Sequence, residues 1–164
     1  ATAPVRGFNA GTRRRPRPLL ENGRRRIELM NSLLMSFPGT PVIVYGDEIG
    51  MGDNIYLGDR NGVRTPMQWT PDRNGGFSRA DPARLYAPTI MDPVYGYEAV
   101  NVEAQSRSLS SLLSATKRLN SVRKSTLAFG RGPMTFIRHA NRVLLALYRP
   151  YVPELTTCAP SLTR

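Results

Sequence analysis

Asp47 and Glu48 are the first side chains in this 164-residue sequence whose type and setting invite chemistry. They sit in Gly46-Asp-Glu-Ile-Gly50, directly after a short β-branched run, Pro41-Val-Ile-Val-Tyr45. Two carboxylates side by side suggest a catalytic pair, but adjacent residues point apart and do not converge on one bond. Arg64, in Val63-Arg-Thr-Pro-Met-Gln-Trp69, offers a different function. Its planar guanidinium fork fits an acceptor pair such as a hydroxyl and a carboxylate. The same fork would also serve as a structural ion pair that shapes a loop. Gln68 and Trp69 read as loop packing. Asp53, Asp59 and Asp72 suggest calcium, yet they do not follow the spacing of an EF-hand loop.

The rarer nucleophiles and ligands bring little. Cys158 is the single cysteine and His139 the single histidine. One cysteine rules out an internal disulfide framework and a cysteine zinc cage. One histidine leaves no His-rich metal site, and no motif pairs it with Cys158. No metal and no cofactor are expected. A lone cysteine fits a reducing, cytoplasmic setting.

The elements that must position these residues follow from periodicity. Residues 1–21 hold Pro4, Pro16, Pro18, Gly7 and Gly11 and are expected to be irregular. Asn22 offers a helix cap, and 24–37 carry Ile27, Met30, Leu33, Leu34 and Phe37 at helical spacing, a stripe to bury. Pro38-Gly39 ends that helix. Residues 41–45 then read as a strand buried on both faces, as in a parallel sheet. This places 46–50 just beyond the C-terminal end of a strand, where α/β folds keep their sites. Residues 50–105 form a long polar segment that nevertheless holds Trp69, Phe77, Tyr56, Tyr86, Tyr95 and Tyr97. Disordered linkers are poor in aromatics, so an ordered functional loop is expected. A second helix over 109–124 would bury Leu109, Leu112, Leu113, Leu119 and Val122. Met134–Arg138 and Arg142–Arg149 read as a hairpin turning at 139–141. The first part has the order of closing units of an α/β barrel, and the rest that of an opening β domain.

The net charge of +11 is uneven. Residues 1–28 carry eight arginines against Glu21 and Glu28. One reading is an arm that binds nucleic acid. The other, favoured by the lack of interleaved aromatics for base stacking, is a basic loop leading into a helix. No apolar run approaches the roughly 20 residues needed to cross a bilayer, and 1–15 lack the apolar stretch of a signal peptide. The first residue is Ala rather than Met, which suits a start inside a longer reading frame.

Two segments carry a resemblance. Gly39-Thr-Pro-Val-Ile-Val-Tyr-Gly-Asp-Glu48 resembles the eighth-strand motif of the α-amylase superfamily, glycoside hydrolase family 13, and VRTPMQW at 63–69 a signature of its members that act on short α-glucosides. The surrounding wording, from GDNIYLGDRNG at 52–62 to IMDPVYGYEAVNVEAQ at 90–105, is similar to the trehalose synthase subgroup, the maltose α-D-glucosyltransferases. The resemblance implies an α/β fold, the closing units of a (β/α)8 TIM barrel followed by the start of a C-terminal β-sandwich domain. Residues 1–126 would supply helix 7, strand 8, a long loop and helix 8 of the barrel, and 127–164 the start of the β domain.

The activity implied is interconversion of maltose and trehalose by intramolecular retaining glucosyl transfer. That reaction needs a carboxylate nucleophile and a carboxylic acid about 5–5.5 Å apart. In the family these follow strands four and five, and a transition-state-stabilising His-Asp pair follows strand seven, all expected upstream of residue 1. His139 is not that histidine. The chain by itself is therefore expected to be inactive. Arg64 matches the arginine that holds the non-reducing-end glucose in the −1 pocket, while Asp47 and Glu48 become structural. Two β/α units of a barrel of about 250 residues leave an exposed strand edge, so the isolated chain is expected to fold poorly. Maltose and trehalose are the implied partners, with no membrane. A non-catalytic carbohydrate-binding or interaction module from the same family, and a basic nucleic-acid binder, are the alternatives.

Overall fold

The structure is a computed structural model that describes residues 14–151 except Asp59 and Arg142. Cys158 lies outside the described residues. The elements are α1 (Pro16–Leu19), α2 (Arg24–Ser36), α3 (Val102–Ser106), α4 (Leu112–Ser125), α5 (Ala128–Arg131), β1 (Thr135–Ile137) and β2 (Ala146–Tyr148). Three 3-10 turns, Asn61–Val63, Arg73–Gly76 and Pro82–Arg84, punctuate the long segment between α2 and α3.

α1 is a helical turn where the sequence predicts irregular chain. Pro16 starts it, with the fixed φ and missing N–H that suit a first helical position. α2 matches the periodic segment, but its cap is Gly23 rather than Asn22. Asn22 adopts φ 59° and its side chain accepts from the Arg17 guanidinium instead. The stripe is only partly buried: Ile27 and Met35 are inside, whereas Met30, Leu34 and Phe37 remain exposed. α4 begins at Leu112, not at 109, because the Ser111 side chain accepts from the Ser114 N–H and caps it there. Leu109 is 88% exposed as a result. α2 packs against α4. The Arg123 guanidinium of α4 donates to the Met35, Phe37 and Gly39 carbonyls, which satisfies groups that a helix end leaves without partners.

The predicted buried strand over 41–45 is not formed. Residues 41–44 take no regular structure and Tyr45 begins a turn, with no paired neighbour among the described residues, and Val42 is 76% exposed. A central strand is made by ladders on both sides, and its own sequence cannot supply them. The hairpin does form: β1 and β2 are antiparallel, with Phe136 opposite Leu147, and the loop between them is longer than the sequence predicts. Arg149, just after β2, donates to the Gly132 carbonyl and to Ser36 at the end of α2, at 2.6 and 2.9 Å.

The core lies under the long segment. Ile49, Met51, Met67, Ile90, Val100 and Leu113 are buried together, with Tyr95 and Val102 against them. Gly46 lets the chain turn into this core: its φ is +89°, and a Cβ there would stand 2.4 Å from the Met51 sulfur. Four of the N-terminal arginines among the described residues pair with carboxylates of this chain. Arg14 pairs with Asp53, Arg15 with Asp47, Arg24 with Glu28 and Arg26 with Glu21. No helix among the described residues is long and apolar enough to cross a membrane.

Candidate functional site

The 3-10 turn at Asn61–Val63 starts the construction. Asn54 donates to the Gly62 carbonyl at 3.0 Å, and a Cβ on Gly62 would stand 2.6 Å from the Asn54 oxygen, so the turn folds tightly onto 54. Arg64 leaves that turn with its side chain exposed. The next four residues, Thr65 to Gln68, are buried. Gln68 anchors them: its amide donates to the Tyr95 and Val100 carbonyls from a fully buried position. The backbone around it is held as well, by Val102 N–H to the Gln68 carbonyl and by Trp69 N–H to the Gly75 carbonyl at 2.7 Å. Trp69 is thus fixed at its backbone while its indole stays half exposed.

Over this anchored strip lies a cleft of about 440 Å³. It is lined by Tyr45 and Glu48, by Arg64 to Met67 with Trp69, and by Phe77, Leu85, Tyr86 and Ala87. Among the described residues the Arg64 guanidinium makes no hydrogen bond or ion pair. Glu48 is half-buried in the same cleft. One cation and one carboxylate set in aromatic and aliphatic walls suit a small polar molecule with apolar faces: charged groups fix its polar edge and rings cover the rest.

Asp47 does not share the cleft with Glu48. It accepts from the Arg15 guanidinium at 3.1 Å. Burial pushes its carboxyl above the ordinary aspartate range, and the Arg15 charge pulls in the opposite direction. Asp53 accepts from the Arg14 side chain and the Arg15 N–H, both at 2.7 Å. Asp72 bonds Thr70 at the surface, and Asp59 lies outside the described residues. Among the described residues, no three His, Cys, Asp or Glu side chains gather as a metal group would require. His139 is exposed in the hairpin loop.

Arg64 is therefore in the cleft and Gln68 packs as the sequence predicts, but Trp69 also lines the cleft. Sequence reasoning missed Tyr45, Phe77 and Tyr86 as lining residues. Their signal was the excess of aromatics in a polar segment, which marks an ordered loop without saying which rings share a wall.

The chain matches the α-amylase catalytic domain family over residues 13–132. It is 57% identical over 155 residues to the trehalose synthase of Pimelobacter sp. (strain R48), covering 94% of this chain and 26% of that protein. It is also 57% identical over 149 residues to the trehalose synthase/amylase TreS of Mycobacterium tuberculosis, covering 91% and 25%. The chain thus spans about a quarter of the length of these curated relatives. Among solved structures, the α-amylase from H. orenii superposes with a TM-score of 0.67 at 27% identity, covering 87% of this chain and 26% of that one.

Proposed function

The chain belongs to the α-amylase family, and from that premise we propose that it is the C-terminal part of a trehalose synthase, which interconverts maltose and trehalose by intramolecular retaining glucosyl transfer. The observation that carries this is the cleft at 45–87 (Arg64 and Glu48 set among Trp69, Phe77 and Tyr86) within a sequence 57% identical to trehalose synthases. In this reading Arg64 grips the non-reducing-end glucose with its guanidinium fork, made available by the absence of a protein partner among the described residues. The aromatic wall keeps water from the freed glucose while it turns and attacks through another hydroxyl. The nucleophile and acid, about 5–5.5 Å apart in a retaining site, come from parts of the parent protein outside this chain. Residues 1–126 close the (β/α)8 barrel of the parent, residues 41–45 pair with strands of the rest of it, and 127–164 open the β-sandwich domain. The reaction needs no cofactor, and the parent works in the cytoplasm.

The test is turnover by the full-length parent. Given maltose, it is expected to form trehalose with a little glucose. Arg64→Ala is expected to lower kcat/KM by roughly 10- to 100-fold, the loss of one or two charge-assisted hydrogen bonds. Glucose without trehalose, or an unchanged kcat/KM in the variant, overturns the reading.

A further inference from the structure

Arg64 carries an exposed guanidinium, and the residues on either side of it are tied to side chains distant in the sequence. Its two flanking carbonyls are each taken by a side chain from elsewhere in the sequence. The Val63 carbonyl accepts from the Arg15 guanidinium at 2.7 Å. The Thr65 carbonyl accepts from the Tyr45 hydroxyl at 2.9 Å. These two side chains are joined to each other, since Arg15 also donates to the Tyr45 carbonyl at 2.6 Å and lies over the Tyr45 ring, 5.2 Å from its centroid. Arg15 is in turn anchored by its own N–H on Asp53 and by its guanidinium on Asp47.

Arg15 is 2% exposed and its Nε has no partner among the described residues. A buried guanidinium with an unsatisfied donor is an expensive way to fill space, and an apolar side chain would fill it at less cost. What the arginine supplies is direction: two planar nitrogens reach two backbone segments at once, one at the Tyr45–Asp47 turn and one at Val63. We infer that Arg15 and Tyr45 are positioning residues that hold the carbonyls of the residues before and after Arg64, and so aim its guanidinium into the cleft. This rests on the reading of Arg64 as the group that grips substrate. Small displacements of such a group are costly, because binding through a fork depends on both nitrogens arriving together.

The experiment is a pair of double-mutant cycles in the full-length parent enzyme, with Tyr45→Phe and Arg15→Lys each made alone and with Arg64→Ala. Tyr45→Phe removes one hydroxyl and keeps the ring, so it tests the proposal even if the Arg15 variant fails to fold. Each single variant is expected to lower kcat/KM for maltose about 10-fold, chiefly by raising KM. In the Arg64→Ala background the same changes are expected to alter kcat/KM less than about twofold. A merely structural role would lower the melting temperature and the active fraction, leave KM in place and cost as much in both backgrounds; that outcome overturns the inference alone. An equal KM effect in both backgrounds, as from a direct contact between Tyr45 and substrate, also overturns it. A parent enzyme that does not turn over maltose overturns the glucosyl-transfer reading and this inference with it.

Discussion

Gln68 and Arg15 are fully buried polar residues, and the sequence treats them differently. Gln68 sits between Met67 and Trp69, so its role in packing is legible from its neighbours. Arg15 stands in a run of three arginines, Arg13 to Arg15, and a charge run reads as a solvated surface. Nothing in the spacing says that the third one turns inward to Val63 and Tyr45. Asp47 has the same history: its neighbour Glu48 faces the cleft, while Asp47 goes under it to meet Arg15. Its carboxyl is held above the ordinary range, mainly by burial. The folded protein therefore keeps this proton after the unfolded chain has released it. Stability falls as pH climbs from the unfolded value of about 3.9 through the folded pKa, and the lost part stays lost above it. Asp47→Asn removes that slope while keeping an acceptor for Arg15. Melting temperature measured against pH on the parent enzyme is expected to show the wild type losing ground to the variant as pH rises through this window. Parallel curves would show that Asp47 does not titrate there.

At the level of elements, the periodic segments were legible and the paired one was not. α2 follows from its apolar spacing and from Pro38-Gly39 behind it, because a helix satisfies its backbone from within. The run at 41–45 has the composition of a central strand, but pairing is supplied by other segments, and the described residues contain none beside it. α4 shows a smaller version of the same limit: its apolar spacing extends to Leu109, yet the Ser111 cap decides where it starts. The C-terminal end of α2 depends on Arg123. Arg123→Ala is expected to weaken that turn by about 1 kcal/mol, which is roughly fivefold faster amide exchange there. Hydrogen exchange resolved to residues 31–40 of the parent enzyme reads this directly. Unchanged protection would mean that water replaces the guanidinium without loss.

For the molecule as a whole, too much apolar surface faces outward for a self-sufficient domain. Leu29 and Met30 on α2, Val42 to Tyr45 after it in sequence, and Val143 to Leu145 in the hairpin loop are all exposed. Their exposure fits the proposal that the rest of a barrel covers them. The isolated 164-residue chain is expected to unfold without a sharp cooperative transition, to associate as concentration rises, and to give no saturable heat with maltose. A monomer that melts sharply and binds maltose would instead favour a free-standing carbohydrate-binding module. The fold class was legible at this scale because the order of helix, extended run, long aromatic loop and helix is itself a pattern. The cleft was not, because its walls come from turns whose approach depends on close contacts such as Gly62 against Asn54.

Arg149 caps the end of α2 through the Ser36 carbonyl, 113 residues earlier in the chain. A ribosome adding about 5–20 residues per second makes the acceptor roughly 6–23 s before it makes the donor. Over the later part of that interval Arg123 already holds the neighbouring carbonyls, and Arg149 adds the Ser36 bond as the later of the two. The growing chain lacks this tie until β2 and the residue after it have been translated, and Arg149 then joins the end of α2 to the hairpin.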